Sequence, residues 1–314
     1  MSGRRYEIFD VFTSRRLAGN PLAVVFDAEG LDGDAMQTIA AEFNLSETVF
    51  VAPPRNPAHT AAIRIFTPRV ELPFAGHPTV GTAIALFERD SFAGQAGDAA
   101  ILMLEEKVGP VRCAVTRRAG EAAFAEFDLP RLPAPLPLSA QPELIAAALG
   151  LDPSDIGFEN HRPSAWTAGV PYVAVPLAGL DAARRAVVDS RLWLDVAPRT
   201  DGILASAYVY CRETVDAQAS FHARMFAPHD GILEDPATGS AAAAFAGAIA
   251  AFDTPGDGPN RFWIEQGIEM GRPSAIRLEI DMERGRMAAG RIGGQAIRVA
   301  RGSIDLDQAP YSGS

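Results

Sequence analysis

The stretch His77-Pro78-Thr79-Val80-Gly81-Thr82-Ala83-Ile84-Ala85-Leu86-Phe87 returns later in the chain as Asp235-Pro236-Ala237-Thr238-Gly239-Ser240-Ala241-Ala242-Ala243-Ala244-Phe245. The two agree at Pro, Gly, Ala and Phe, with Thr82 facing Ser240. Upstream, across a two-residue gap, Arg64-Ile65-Phe66-Thr67-Pro68 answers Arg224-Met225-Phe226-Ala227-Pro228. In the same register Ser46-Glu47-Thr48-Val49-Phe50 faces Ser206-Ala207-Tyr208-Val209-Tyr210, and Gly19-Asn20-Pro21 and Gly169-Val170-Pro171 each lead into an apolar run. Matched blocks in one order mean a duplicated domain, since a solenoid needs three or more short repeats. At 314 residues the expectation is two domains, each half long enough to bury its own core.

In chain order, Tyr6 to Phe12 alternates as a strand does, and Leu22 to Phe26 reads as a buried strand. Asp32 to Phe43 has helical spacing, with Met36, Ile39, Ala40 and Phe43 on one face. Strands are predicted at Thr48–Val51, Ala61–Phe66, Ile101–Leu104 and Val111–Val115, with a turn at Gly94–Gly97 and a helix starting near Pro78. Leu129 to Pro137 carries too many prolines for a helix or a central strand and should run extended between lobes. Beyond it the pattern predicts helices at Pro142–Leu149, Arg184–Leu192 and from Pro236, and strands at Tyr172–Val175, Ala205–Cys211 and Ser220–Met225. Phe262 to Leu306 reads as several antiparallel strands. Strands dominate without strand–helix alternation, so the fold class is α+β, mostly antiparallel. The boundaries are an N-terminal lobe 1–127, a proline-rich linker 128–141 and a C-terminal lobe 142–314 whose last strand or strands could return to the first lobe.

Stacking two such copies about a pseudo-two-fold axis would aim two helix N-termini, at Pro78 and Pro236, into the cleft between them. Their free N–H groups could hold a carboxylate or a developing enolate-like oxygen. The titratable residues at these ends are His77 and Asp235; the first could equally be a hydrogen-bonded core histidine and the second a helix cap. Glu47 is more informative, because it sits between Leu45 and Val49-Phe50-Val51, where a buried carboxylate is costly without a role or a partner. Its counterpart is Ala207, so one lobe alone would handle the proton. A two-base racemase would keep a base in both lobes, commonly a thiol each, and neither Cys113 nor Cys211 lies in the helix-start motifs. A Glu47 pKa raised by a partly apolar cleft would let it serve as both acid and base near neutrality. The alternative is a salt-bridged edge residue.

Charge and motifs remove other classes. A formal charge of −11 disfavours nucleic acid or an anionic membrane as partner, and no apolar run reaches the length of a membrane span. Two isolated cysteines and the lack of a signal-peptide core point to a reduced, cytoplasmic setting. No P-loop, dinucleotide fingerprint or Gly-x-Ser-x-Gly elbow occurs, and His222 and His229 lack metal-ligand spacing, so no metal is expected.

Asn44-Leu45-Ser46-Glu47-Thr48, Gly76-His77-Pro78-Thr79, Glu234-Asp235-Pro236-Ala237-Thr238-Gly239-Ser240, Gly19-Asn20-Pro21 and Glu265-Gln266-Gly267-Ile268-Glu269-Met270-Gly271-Arg272-Pro273-Ser274 together resemble the PhzF-like phenazine-biosynthesis family over nearly the whole chain. The resemblance implies the diaminopimelate-epimerase-like fold, two similar lobes each with sheet wrapped around a central helix. It also implies a cofactor-free isomerase, commonly a homodimer, that moves a proton between carbons of a small carboxylated metabolite, as in the isomerisation of trans-2,3-dihydro-3-hydroxyanthranilate. The family's catalytic glutamate falls on Glu47, its histidine on His77, and its aspartate and serine on Asp235 and Ser240. Expected to act on the substrate are therefore Glu47, His77 and Asp235; expected to bind it are Asn20, Ser46, Gly76, Gly239 and Ser240, with Trp166 and Tyr172 as possible lining. An amino- or hydroxy-acid epimerase of the same fold, or a non-catalytic metabolite-binding or partner-docking protein, stays open from the residues alone.

Overall fold

A computed structural model describes residues 3–89 and 98–305; the expected turn at Gly94–Gly97 and the end of the last expected strand at Leu306 lie outside them. Seventeen strands join into one mixed sheet. In the first half, Asn20–Val25 runs parallel to Glu47–Ala52, which pairs antiparallel with Ala61–Phe66, whose start runs parallel to Ala99–Glu106. That strand continues antiparallel into Gly109–Thr116 and then Phe124–Asp128. The second half repeats the order: Pro171–Pro176 parallel to Ser206–Cys211, antiparallel to Phe221–Ala227, parallel to Gly258–Gln266, then antiparallel to Ser274–Glu283 and Arg286–Ile304. The duplication is thus visible in the pairing, and most pairs are antiparallel as expected, with two parallel pairs at matched places in each half making the sheet mixed. Some of the parallel partners are buried on both faces, as in Leu22–Val25 and Tyr208–Cys211, which is why these stretches read as unbroken apolar runs.

The nineteen-residue strand Arg286–Ile304 ties the halves together. Its beginning pairs with Ser274–Glu283, its middle with Phe124–Asp128 and its end with Arg4–Val11. The last contact closes a ring, because Arg4–Val11 also pairs with Asn20–Val25. Inside that ring lies the helix Gly76–Glu88, packed on six of its strands and on Arg286–Ile304, with all its residues but Glu88 buried. The helix Gly239–Phe252 packs similarly on Ser164–Thr167, Pro171–Pro176, Ser274–Glu283 and Arg286–Ile304. Its alanines allow this close approach, and a Cβ on Gly247 would meet the Trp166 indole at 2.3 Å. Trp166 is therefore spent on packing that helix. The two helices share one apolar cluster running from Phe9 to Ala296, while smaller clusters lie within the first half around Met36 and within the second around Trp193.

The helix Gly33–Phe43 starts after Asp32, whose side chain accepts from Ala35 N, and Pro142–Ala148 is a helix as its spacing predicts. The helix expected over 184–192 is absent: Leu180–Arg185 and Trp193–Val196 are helical instead. Asp189 accepts from the backbone N–H of Arg191 and Leu192 and closes a turn between them, a local bond that competes with helix. The proline-rich stretch does run extended, and Ala134–Leu136 pairs with Ser164–Thr167 at an edge where prolines cost no ladder bond. Among the described residues no helix is long and apolar enough to cross a membrane.

Candidate active site

The two repeated motifs do not fold alike. In the first copy the helix begins at Gly76, after Ala75, and takes in His77 and Pro78. In the second, Asp235 ends the short strand Ile232–Asp235, Thr238 is the N-cap, and the helix begins at Gly239. The predicted helix start at Pro236 is thus corrected by three residues, and Asp235 is not the N-cap. The two helix ends meet backbone to backbone: a Cβ on Gly76 would lie 2.8 Å from Gly239 Cα, and one on Gly239 3.1 Å from Gly76 Cα. Only glycine permits this approach from both sides. The first N–H groups of each helix, at Gly76 and His77 and at Gly239, Ser240 and Ala241, have no carbonyl one turn back to accept them. The abutting ends also add their positive dipole fields.

Around this junction the structure gathers the side chains singled out in the sequence. Glu47 Oε2 lies 3.4 Å from His77 Nε2, and the two side chains are only 14% and 5% exposed. Asp235 Oδ1 accepts from Asn20 Nδ2 at 2.9 Å and Ser46 Oγ at 3.4 Å, while Oδ2 accepts from Thr238 Oγ1. Asn20 spends its second amide hydrogen on the Ala237 carbonyl and is fully buried, so its donors orient Asp235 and its loop; its Oδ1 is a buried atom without a partner. Glu47 Oε2 and His77 Nε2 are buried and unpartnered as well. Ser240 Oγ meets the Tyr172 hydroxyl at 2.7 Å, which brings one expected lining residue to the site. Trp166, against Gly247, is not brought there.

Burial, and after it the nearby Asp235 charge, push the Glu47 carboxyl up to about 8. Asp235 is also raised by burial, to about 6, but the bonds it accepts from Thr238, Asn20 and Ser46 oppose the rise. Two neighbouring carboxyls whose surroundings separate them in this way divide into a proton holder, Glu47, and a charged partner, Asp235. Burial drops His77 to about 3, partly offset by its bond to the Pro21 carbonyl, so at neutral pH it is an uncharged imidazole. At neutral pH the cluster therefore combines a neutral acid, a neutral imidazole and one carboxylate, next to two helix N-termini.

These shifts carry a stability cost with a definite sign. A folded-state pKa above the ordinary carboxylate value means that folding is favoured while the group is neutral, and the benefit is lost as pH climbs from about 4.5 through about 8. Glu47→Gln stays neutral throughout. The variant is expected to match the parent near pH 5 and to exceed it at pH 8.5 by on the order of 3 kcal/mol in urea unfolding. Equal stabilities at both pH values would mean that Glu47 is not held neutral.

The residues sequence reasoning left without a role are Thr238 and Gln266. Both lie inside quoted motifs, yet only the fold shows Gln266 Nε2 donating to the Asp235 carbonyl at 2.8 Å and to Thr238 Oγ1 at 3.0 Å. Elsewhere Glu159, His161 and Asp253 come within metal-binding reach of one another. Arg212 already pairs with Asp253 and Glu159, which supplies the positive charge those carboxylates would offer an ion. His222 is fully buried between Glu265 and Glu269, whose carboxylates outweigh burial and lift it to about 9. A protonated imidazole is not a metal ligand.

Comparison with known proteins agrees with this architecture. An uncharacterized isomerase of Mesorhizobium japonicum is 61% identical over 97% of this chain and 99% of its own. The trans-2,3-dihydro-3-hydroxyanthranilate isomerase of Pseudomonas chlororaphis is 37% identical over 96% of this chain and 99% of its own. The crystal structure of a PhzF-family phenazine biosynthesis protein of Bacillus anthracis superposes with a TM-score of 0.86 at 26% identity, covering 98% of this chain and all of that one. The phenazine biosynthesis-like family matches residues 9–302. With these two relatives named isomerases and matched over nearly their whole length, and its fold shared with a PhzF protein, this chain is an isomerase and belongs to the phenazine biosynthesis-like (PhzC-PhzF) family.

Proposed function

We propose that the chain moves a proton between carbons of a small carboxylated metabolite, without a cofactor, as an isomerase similar to the one named for trans-2,3-dihydro-3-hydroxyanthranilate. The observation that carries this reading is the buried contact of Glu47 with His77 beside Asp235, at the meeting point of two helix N-termini. The substrate carboxylate lies against the free N–H groups at Gly76, Gly239 and Ser240, where charge building up on oxygen is stabilised as the C–H bond breaks. Glu47 takes the proton from one carbon as a carboxylate and returns it to another as an acid. A group that titrates near 8 can do both at physiological pH, because neither form is far away in free energy. His77 and Asp235 orient Glu47 and set its proton affinity. In this reading each lobe wraps its sheet around its central helix, and the chain works as a homodimer in the cytoplasm, as the family resemblance implies.

A panel of cyclic and amino-acid carboxylates incubated with the protein in deuterated water tests the proposal. The expected result is deuterium at a ring carbon with migration of a double bond. Deuterium accompanied by inversion at one stereocentre would make the protein an epimerase, and no exchange into any bound ligand would end the catalytic reading.

A further inference from the structure

Glu105 and Glu265 hold matched places in the two halves. Glu105 accepts from the backbone N–H of Arg55 and Asn56 and contacts His59 Nδ1; Glu265 accepts from those of Val215 and Asp216 and contacts His222 Nδ1. The next residue on each strand points to the opposite face, towards the helix of its own half. In the first half it is Glu106, which lies 2.8 Å from Thr79 Oγ1; in the second it is Gln266, 3.0 Å from Thr238 Oγ1. Both are buried.

Counting hydrogens gives each hydroxyl a direction. Thr79 Oγ1 is also 2.7 Å from the Ala75 carbonyl, which can only accept, so the single hydroxyl hydrogen goes there and Glu106 must supply its own. Burial does raise Glu106 to about 8, which keeps it a neutral, donating acid. Gln266 needs no such help. Its two amide hydrogens go to the Asp235 carbonyl and to Thr238 Oγ1, and its Oε1 accepts from Thr238 N at 3.3 Å. With one lone pair of Thr238 Oγ1 filled from Gln266, the hydroxyl hydrogen has a single acceptor left, Asp235 Oδ2.

We propose that Gln266 is a positioning residue of the proton-transfer site: its amide turns the Thr238 hydroxyl towards Asp235, so that Asp235 stays charged and the mobile proton resides on Glu47. This rests on the proton-transfer reading for its consequence but on the hydrogen-bond geometry alone for its content. The groups facing Asp235 are Asn20 and Ser46 from the first half, Thr238 from its own loop, and the titratable Glu47 and Tyr172. Gln266 acts on Asp235 Oδ2 only through Thr238.

The test is a titration of the Asp235 carboxyl by carbon NMR in protein labelled with 13C-aspartate, the signal assigned with Asp235→Asn. Gln266→Met and Thr238→Val are each expected to move its midpoint up by at least half a pH unit, and Thr238→Ser to leave it near the parent value. The double variant should move it no further than the larger single shift, since one acts through the other. In catalysis, the acid limb of the kcat/KM profile should move up in the same variants. An unchanged midpoint in folded Gln266→Met, or shifts that add in the double variant, would overturn the inference. Should the methionine variant not fold, Gln266→Asn, one methylene short of the hydroxyl, carries the same expectation. If the parent protein exchanges no ligand proton, the proposed function fails while the titration still decides the role of Gln266.

Discussion

Replacing Glu47 by Gln is expected to lower turnover by about 10²–10⁴-fold, the usual contribution of a positioned acid–base group, while ligand affinity changes little. The amide keeps the shape and the neutrality of the protonated carboxyl, which already sits buried 3.4 Å from His77. What it removes, on the proposed function, is the ability to take and return a proton. Because Ala207 occupies the matching position of the other half, the duplication supplies no second copy of this carboxyl, and the neighbouring Asp235 is held by its own donors. The measurement is deuterium uptake into ligand under saturating conditions, with affinity followed separately by calorimetry. In the parent, kcat/KM should vary with pH as two coupled macroscopic steps, because Glu47 and Asp235 interact. A variant that retains full exchange would move the proton-handling role elsewhere in the site.

Arg224→Ala destabilises the protein by about 3–5 kcal/mol, whereas Arg64→Ala at the matched position costs less than about 1 kcal/mol. Both arginines form two-pronged pairs, Arg64 with Glu71 and Arg224 with Glu234. Burial separates them: Arg64 is 40% exposed and Arg224 7%. Arg224 also donates through Nη1 to the carbonyls of Ala183 and Ala186, and Glu269 stands 3.9 Å from its Nε. Truncation leaves Glu234, Glu269 and those carbonyls facing a vacated, largely dry space. The exposed pair loses only a screened attraction, and Glu71 keeps Lys107 at 3.7 Å. Urea midpoints at constant slope measure the difference. Glu234 directly precedes Asp235, so Arg224→Ala should also weaken catalysis. Equal losses at the two positions would show that burial is not what distinguishes the pairs.

The local readings that held best were those in which side-chain pattern and backbone demand coincide. Asp32 caps the helix it precedes, and Pro142 opens one. The failure at 184–192 came from Asp189, whose short side chain offers the backbone a turn that helical periodicity does not register. The failure at Pro236 is more instructive. Two motifs alike in sequence were expected to start helices alike, but Asp235 is tied down by Asn20, Ser46 and Thr238, and Gln266 holds the intervening loop open. Those partners come from positions 20, 46 and 266, and no local pattern can announce them.

From the residues alone came the duplication, the order of the strands and the identity of Glu47, His77 and Asp235 as the groups to watch, because repeated blocks and buried charge leave their mark on composition and spacing. The tertiary structure decided what those groups are at neutral pH. Only the meeting of Gly76 with Gly239 places two helix ends against each other, and only enclosure by both halves raises Glu47 while Asp235 is held by donors. Proton affinity depends on which dipoles and charges stand within a few ångströms, and that is a property of the packed chain.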